Sequence, residues 1–340
     1  MIHCPSARVD VTASARLHLG FLDLNGSLGR QFGSLGLTID GFATRLTAER
    51  ADGFSAEGID AERALAYARR FAAARGLTGG AHLQLYETIP DHAGLGSGTQ
   101  LALTVGTALE RLLGPAAEGA AWDSRAIARA LGRGQRSGIG VGAFDQGGFL
   151  VDCGRGAPHH DRGRVPPIVM RFPFPADWRL LLLLDPCGSG LHGEREVRAF
   201  DTLPVFPDAA VGSLCRLLLM QLVPGLIEGR LPPVADAIGR IQRAVGSHFA
   251  PIQGGCFASP AVSAALDWAA EQGFVGSGQS SWGPTGFVLV ADLDQARWLE
   301  TGLKARFGAL SALRCRVVAG RNQGAAVDPA GATRRAMRES

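Results

Sequence analysis

The sequence predicts an α+β protein, in which β-rich segments and amphipathic helices occur in both halves of the chain. Three observations favour this class. Ala7–Ala13 and Leu35–Ala48 are β-rich and flank an Asn25-Gly26 turn, apolar residues recur at helical spacing after a glycine-rich segment, and the second half mixes both patterns. With 340 residues, of which 46% are hydrophobic, the chain can bury a full core in one large or two modest domains.

The remaining elements of the first half follow from periodicity and from the residues that end each segment. Glycine at position 76 favours a helix end, and Gly114-Pro115 cannot continue a helix. In chain order these signals predict a helix over Glu62–Arg75, a strand over His82–Thr88, a helix with Leu101, Val105, Leu109 and Leu112 on one face, a helix over Ser124–Gly132 and a strand over Gly148–Asp152.

A segment rich in Gly, Pro, His and Arg, Arg155–Pro167, is the predicted domain boundary. We therefore expect domains over residues 1–160 and 166–323, and a disordered tail over 324–340. Ser259-Pro260 is typical of a capped helix start and Gly273 of its end. The other predicted elements of this half are strands at Arg179–Leu184, Phe287–Ala291 and Arg314–Val318 and helices at Val211–Leu222, Val234–Val245 and Asp294–Phe307.

Composition excludes several classes of protein. A net charge of +3 is too small to indicate nucleic-acid binding, and the longest apolar run, Leu180–Leu184, is far too short to span a membrane. The six cysteines contain no Cys-x-x-Cys pair, so we expect neither zinc nor disulfides, and a cytoplasmic location. Lys304 is the only lysine and lies in an ordinary helical pattern, which disfavours a lysine Schiff base.

The glycine-rich loop Gly94-Leu95-Gly96-Ser97-Gly98 lies between a predicted strand and a long helix. Glycines allow tight turns close to an anion, and free N–H groups at a helix start point toward it. Ser97 and Thr99 would add hydroxyl donors. The loop matches neither Walker A nor the dinucleotide-binding pattern, so a tight structural connection stays open as an alternative to phosphate binding.

The segment Pro90-x-x-x-Gly94-Leu95-Gly96-Ser97-Gly98 resembles the phosphate loop of GHMP kinases. This resemblance implies an N-terminal domain like ribosomal protein S5 and a ferredoxin-like C-terminal domain. Three more segments are similar to the β-ribofuranosylaminobenzene 5′-phosphate synthase branch of that superfamily. They are Ala15–Gly26 with Gly29-Arg30 and Gly36, Arg136–Gly140 with Gly147-Gly148-Phe149, and Gly278–Gly286, which contains Trp282-Gly283-Pro284-Thr285.

The resemblance implies a decarboxylating phosphoribosyl transfer. Phosphoribosyl diphosphate and 4-aminobenzoate would give an aryl C-riboside 5′-phosphate, carbon dioxide and diphosphate, an early step of methanopterin biosynthesis. Mg²⁺ is expected to assist diphosphate departure, no organic cofactor is required, and a homodimer is expected from the family. The para donor that this chemistry needs is present in 4-hydroxybenzoate as well, so the acceptor stays open.

Arg16 and His18 share one face of a strand and are candidate catalytic residues that could grip a carboxylate or phosphate, unless that face is simply solvated. Asp145, followed by Gln146, could hold Mg²⁺ or act as a base, or could cap a turn. Trp282 could stack on the aryl ring or anchor packing. The substrate-binding candidates are Gly94, Leu95, Gly96, Ser97, Gly98, Thr99, Asp23, Arg30, Arg136, Ser137, His192, Glu194, Gln279, Ser280, Ser281 and Trp282.

Two other functions remain possible on this sequence. Phe144-Asp145-Gln146 departs from the Phe-Glu expected in the synthase branch and looks like the Asp-Gln of galactokinase-type sites, which favours an ATP-dependent small-molecule kinase. A member that only binds a phosphorylated ligand is the third possibility. Diphosphate release without ATP separates the synthase from the kinase, and release of no product identifies the binding protein.

Overall fold

The computed structural model describes residues 8–114, 122–156, 163–188, 200, 202–308 and 312–329. Its strands form two sheets with helices packed on them, which confirms the predicted α+β class. The strands are β1 (Arg8–Asp23), β2 (Arg30–Ala51), β3 (Ser55–Gly58), β4 (Gly80–Glu87), β5 (Phe149–Asp152), β6 (Arg155–Gly156), β7 (Ile168–Phe172), β8 (Arg179–Leu184), β9 (Ser277–Gln279), β10 (Gly286–Val290), β11 (Arg314–Ala319) and β12 (Ala326–Pro329).

The helices agree with the apolar periodicity of the sequence in most places, but α4 and α6 were not predicted, and α7 extends beyond the predicted Val234–Val245 at both ends. They are α1 (Ala61–Arg75), α2 (Ser97–Leu113), α3 (Ser124–Ala130), α4 (Ile139–Asp145), α5 (Asp208–Leu217), α6 (Val223–Ile227), α7 (Leu231–Gln253), α8 (Pro260–Glu271) and α9 (Leu293–Phe307), with a π-helical turn at Leu218–Leu222 joining α5 to α6.

The first sheet has eight strands and is organised on the long antiparallel pair β1 and β2. The turn between them is stabilised by Asp23, whose Oδ1 accepts hydrogen bonds from the N–H groups of Asn25 and Gly26. Alternate residues of β1 are fully buried against α1 and α2, as period-two alternation requires. This packing fixes the start of α2, and the glycine loop before it, over one end of the sheet.

The second sheet has the order β11-β8-β10-β9. Taken in chain order, its strands and the helices between them give the βαββαβ arrangement of a ferredoxin-like unit. Leu181 and Leu183 face α8 and α9, while Leu180 and Leu182 pack toward β1 and β2. The sheet is therefore buried on both faces and holds the 280–286 segment against the first sheet.

Two strands from the second half of the sequence belong to the first sheet. β7 pairs with β5, and β12 pairs with β1 from Val9 to Thr12. The predicted disordered tail is therefore wrong for Ala326–Pro329, because these residues complete the free edge of β1. Four residues are too few to show a strand pattern in the sequence. The tail residues 330–340 lie outside the described residues.

The stretch Asp208–Ile227 is, by length and composition, apolar enough to cross a membrane, with a mean hydropathy of 1.7 in its most apolar window. The sequence predicted only part of it, as the amphipathic helix Val211–Leu222. A single such stretch is weak evidence for a membrane span, because core helices of soluble proteins meet the same criterion. Here it leaves Met220 and Ile227 exposed on the second domain.

Candidate active site

A cavity of about 860 Å³ lies where the glycine loop, β1, the α3–α4 connection and the 281–283 segment meet. The glycine loop and the start of α2 line one part of the cavity, which we call the glycine-loop end, and aromatic rings line another part, which we call the aromatic end. Of the predicted site residues, it is lined by Arg16, His18, Gly94, Gly96, Ser97, Gly98, Thr99, Arg136, Ser137, Ser281 and Trp282. Residues that are far apart in sequence therefore share one space large enough for two small substrates.

The glycine loop has the backbone form expected of an anion-binding turn. Gly94 and Gly96 have φ angles of 77° and 87°, which residues with a Cβ rarely adopt. No side chain caps α2, and its first turn contains no acidic residue. Thr99 and Gln100 donate their N–H groups to the Gly96 carbonyl, so Ser97 and Gly98 carry the N–H groups that the start of this 17-residue helix offers to an anion.

Backbone and side-chain hydrogen bonds join this loop to two other predicted motifs. The Gly94 carbonyl accepts from Arg16 Nη1 at 2.6 Å and from Ser280 Oγ at 2.7 Å. The N–H of His18 donates to Ser280 Oγ, and the N–H of Ser281 donates to the His18 carbonyl. A Cβ on Gly94 would lie 2.4 Å from the Ser280 carbonyl oxygen, so only glycine permits this approach.

Arg133 is a cavity residue that the sequence reasoning missed. Its guanidinium covers Gly98, where an added Cβ would lie 1.9 Å from Arg133 Nη2. Its Nε is buried without a hydrogen-bond partner, and no acidic side chain among the described residues pairs with it. The signal available in the sequence was its position between Gly132 and Gly134, which gives the turn its φ angles of 67° and 73°.

Asp91 is the one carboxylate among the described residues that line the cavity. Its Oδ1 accepts from Ser97 Oγ at 2.8 Å and its Oδ2 forms a 2.6 Å ion pair with Arg63. Burial opposes ionisation, but the hydrogen bonds from Arg63 and Ser97 outweigh it, so the pKa of Asp91 lies below its usual value. Because Ser97 Oγ donates to Asp91, that hydroxyl is engaged within the protein.

His18 is neutral in this site. It is 4% exposed, and burial together with the charges of Arg16 and Arg136 lowers its pKa to about 3. Its ring lies 4.6 Å from the ring of Phe21, measured between centroids. A neutral imidazole can donate or accept one hydrogen bond but does not provide a cation for a carboxylate or phosphate.

Four aromatic rings line the aromatic end of the cavity, and we call Phe21, Phe32, Phe200 and Trp282 the aromatic wall. Phe200, which the sequence did not indicate, lies at its centre. Its ring centroid is 5.3 Å from that of Phe32 and 5.5 Å from that of Trp282. Trp282 also packs on Phe249 with centroids 4.4 Å apart, so it is a packing residue that also borders the cavity.

Several predicted site residues lie outside this cavity. Asp23 stabilises the β1–β2 turn, and Arg30 donates to the carbonyl oxygens of Cys153 and Gly154. Asp145 ends α4 beside Ser124, where burial raises its pKa. Leu95 is a core residue, and Ser280 acts through the bonds given above. The substrate roles of these residues remain predictions. His192 and Glu194 lie outside the described residues.

Gln279 borders a second, small cavity of about 20 Å³, which has room for about one water molecule. Its Oε1 accepts from the N–H of Ala258, and its own N–H donates to Gln242 Oε1. Gln279 and His18 therefore line the same small cavity. In the part of the chain that the structure describes, no group of three or more His, Cys, Asp or Glu side chains could hold a metal ion.

Comparison with known families and proteins matches both halves of the chain. The model of the GHMP kinases N terminal domain matches residues 62–151, and that of the GHMP kinases C terminal domain matches residues 222–309. A β-ribofuranosylphenol 5′-phosphate synthase of Archaeoglobus fulgidus is 34% identical over 72% of this chain and 80% of its own length. The protein of that name from Methanothermobacter thermautotrophicus is 30% identical over 93% of this chain and 97% of its length.

Solved structures support the fold alone. A homoserine kinase from Cytophaga hutchinsonii superposes with a TM-score of 0.64 at 18% identity, over 96% of this chain and 99% of its own. A mevalonate diphosphate decarboxylase from Staphylococcus aureus superposes with a TM-score of 0.65 at 13% identity, over 95% and 98%. The expected GHMP-kinase fold is confirmed by these matches.

Proposed function

Because this chain belongs to the β-ribofuranosylphenol 5′-phosphate synthase family of the GHMP kinase superfamily, we propose that it joins phosphoribosyl diphosphate to a para-substituted benzoate. The products are an aryl C-riboside 5′-phosphate, carbon dioxide and diphosphate, and the reaction is an early step of methanopterin biosynthesis. One observation carries this proposal: an anion-binding glycine loop and a wall of aromatic rings line the same cavity.

The glycine-loop end of the cavity suits departure of diphosphate. When the bond between C1 of the ribose and the diphosphate oxygen breaks, the electron pair leaves with the oxygen and negative charge grows there. Fixed donors aimed at that charge stabilise the transition state more than the ground state. The N–H groups at the start of α2 and the Arg133 guanidinium are such donors, since neither is consumed by a side-chain partner in the described structure.

The aromatic end suits the acceptor. The ring carbon that bears the carboxylate attacks C1 with a π electron pair, assisted by the para substituent, and loss of carbon dioxide returns an electron pair to the ring. Phe200, which is half-buried and supported by Trp282, offers apolar ring surface to that acceptor and helps exclude water from the oxocarbenium-like sugar. Neutral His18 can accept a hydrogen bond from the para substituent.

Arg16 acts in this scheme by holding the glycine loop, since its Nη1 donates to the Gly94 carbonyl. No step is assigned to Asp145, which lies outside the cavity. The kinase hypothesis relied on Asp145 as its base, and Asp145 does not line the cavity. The described residues therefore support the synthase over the kinase.

The cavity residues that the structure describes do not fit a protein-held Mg²⁺ site. Mg²⁺ is bound by carboxylates and substrate phosphates, and both oxygens of Asp91, the cavity's carboxylate among the described residues, already accept bonds from Ser97 and Arg63. We propose that Mg²⁺ arrives on the diphosphate of the donor. No step of the mechanism above depends on it.

We propose 4-aminobenzoate as the acceptor, and the name of the relatives makes 4-hydroxybenzoate the substrate to compare with it. Both acids have a para substituent that donates electron density to the ring and can also donate a hydrogen bond. The ratio of kcat/KM for the two acids, measured with one enzyme preparation, decides between them. We also propose a homodimer in the cytoplasm; the five described cysteines are free thiols, which agrees with a reducing compartment.

The decisive experiment uses carboxyl-¹⁴C-labelled 4-aminobenzoate and 4-hydroxybenzoate with phosphoribosyl diphosphate and Mg²⁺, with and without ATP. Release of labelled carbon dioxide that requires the donor and ignores ATP is the expected result. ATP hydrolysis with a sugar or alcohol acceptor, without carbon dioxide release, would establish the kinase. Donor binding without any product would identify a binding protein. Folded protein is verified by circular dichroism before each assay.

A further inference from the structure

Two arginines lie on rings of the aromatic wall. The Arg155 guanidinium carbon is 4.9 Å from the centroid of Phe32, and that of Arg136 is 5.6 Å from the centroid of Phe200. Both arginines line the cavity. Stacking of this kind fixes the plane of a guanidinium and directs its N–H groups along that plane.

The two charges lie near enough to affect one another. Burial, and then the charge of Arg136, lower the pKa of Arg155. No carboxylate among the described residues forms an ion pair with Arg155. Its guanidinium instead stacks on the Phe32 ring. A site that holds two like charges together, one of them without a carboxylate partner among the described residues, favours binding of an anion with more than one negative charge.

The segments that carry both arginines are fixed by a single buried carboxylate. Asp152, 1% exposed, accepts from Ser137 Oγ and from the N–H of Gly138 through Oδ2. Through Oδ1 it accepts from the N–H of Gly154, the residue before Arg155, and from that of Ser34. Such a clamp is expected where two side chains must converge on one ligand, because it removes the freedom of both loops at once.

We propose that Arg136 and Arg155 form the subsite for the 5′-phosphate of the phosphoribosyl donor, a role that no sequence motif assigned to Arg155. This inference rests on the proposed function. The 5′-phosphate is a dianion with three acceptor oxygens, which two guanidinium forks match. It lies at the other end of the donor from the diphosphate, and the stacked arginines belong to segments of the cavity lining other than the glycine loop, namely the α3–α4 connection and β6.

The carboxylate of the aryl acid is the other anion that this pair of arginines could hold, and the reaction argues against it. That carboxylate loses its charge when carbon dioxide departs, so two cations bound to it would stabilise the ground state more than the transition state and slow the reaction. The 5′-phosphate keeps its charge throughout. Binding it therefore holds the donor without opposing any step.

The first test compares wild-type protein with Arg155→Leu, Arg155→Lys and the exposed-arginine control Arg50→Leu. We expect Arg155→Leu to weaken binding of ribose 5-phosphate, measured by calorimetry, by about 30-fold or more, and to leave binding of ribose unchanged. Arg155→Lys should recover part of the loss, since it keeps the charge and loses the fork. Arg50→Leu should behave like wild type. Equal affinity of wild type and Arg155→Leu for ribose 5-phosphate would overturn the inference.

The second test uses the reaction itself. In Arg155→Leu, the KM for phosphoribosyl diphosphate should rise by a similar factor while the KM for the aryl acid stays within about two-fold. A rise in the KM for the aryl acid alone would assign the arginines to the carboxylate and overturn the inference. Wild-type protein that binds ribose 5-phosphate through Arg155 but releases no carbon dioxide would refute the proposed function and leave this subsite standing. Thermal melting of each variant verifies that it is folded.

Discussion

At the glycine-loop end of the cavity, hydrogen bonds to the backbone hold the chain segments in place, whereas at the aromatic end the packing of rings holds them. The first end joins β1, the loop and the 280–281 segment through the Gly94 carbonyl and Ser280. The second joins Phe200 to Phe32 and Trp282 through centroid distances of 5.3 and 5.5 Å. Hydrogen bonds demand one geometry, while ring contacts tolerate small shifts, so changes at the first end should have the larger effects.

The difference suits the two substrates. Diphosphate departure needs donors at fixed positions, because charge develops on particular oxygens. A planar acceptor needs apolar area and the exclusion of water, which several rings provide together. Changes confined to one end should therefore affect one substrate more than the other.

The largest expected effect comes from Arg133→Leu at the glycine-loop end. Loss of a donor aimed at the developing charge should lower kcat by about 100- to 1000-fold, with a small change in the KM for the aryl acid. The matched control is Arg129→Leu, an exposed arginine of α3 that does not line the cavity. Steady-state carbon dioxide release measures both variants. An unchanged kcat in Arg133→Leu would remove this residue from the mechanism.

The next largest effect is expected at Gly94, where the glycine loop lies close to the backbone of Ser280. Gly94→Ala should lower the free energy of unfolding by about 2–3 kcal/mol and reduce activity, because it adds a backbone clash to an unfavourable φ. Gly76→Ala is the control: its φ is 62° and nothing lies within 4 Å of an added Cβ. That control should lose only about 1 kcal/mol. Chemical denaturation measures both values, and equal losses would show that the Ser280 contact does not restrict position 94.

Phe200→Leu tests the aromatic end. Removal of the central ring should raise the KM for the aryl acid by about 10-fold, the equivalent of about 1.4 kcal/mol. The KM for the donor should rise by a smaller factor, because Arg136 stacks on the same ring. Phe54→Leu is the control, since Phe54 is a half-buried ring that packs on the core formed by α1, α2 and β4 and does not line the cavity. Substrate titrations measure the two KM values. A larger rise for the donor than for the aryl acid would contradict the division of the cavity into two ends.

The smallest expected effect on activity concerns His18. With a pKa of about 3, it stays neutral from pH 5 to 8, so kcat/KM should show no inflection from its titration in that range. Stability follows a different course. As pH falls from about 6.5 toward 3 the unfolded chain gains a proton at this residue that the folded protein does not bind, so unfolding becomes easier by up to about 1.4 kcal/mol per pH unit.

The measurement compares wild type with His18→Asn, by denaturation from pH 7 down to pH 4 and by activity from pH 5 to 8. The stability of the variant should depend less on pH than that of wild type. An NMR titration that places the His18 pKa near 6.5 would contradict the burial described here and restore a charged histidine to the site.

Local signals determined much of this protein. The glycine loop, the helix beyond it, the Ser259 cap and the Gly76 helix end depend on neighbouring residues, so the sequence could predict them. The family motifs likewise predicted Arg16, His18, Ser281 and Trp282 as site residues, and all four line the cavity in the structure. The sequence alone thus determined the class of fold, the position of the glycine loop and the family.

Only the tertiary structure decided which side chains share the cavity. Arg133, Arg155 and Phe200 have no motif around them and become site residues only because separate loops converge on the same space. Asp23 and Arg30 lie within a motif, yet their side chains bind backbone at the β1–β2 turn and the β5–β6 connection. Strand β12, the last strand in chain order, pairs with β1, the first. Such contacts depend on long-range packing and on the direction of each side chain, which a local pattern does not encode.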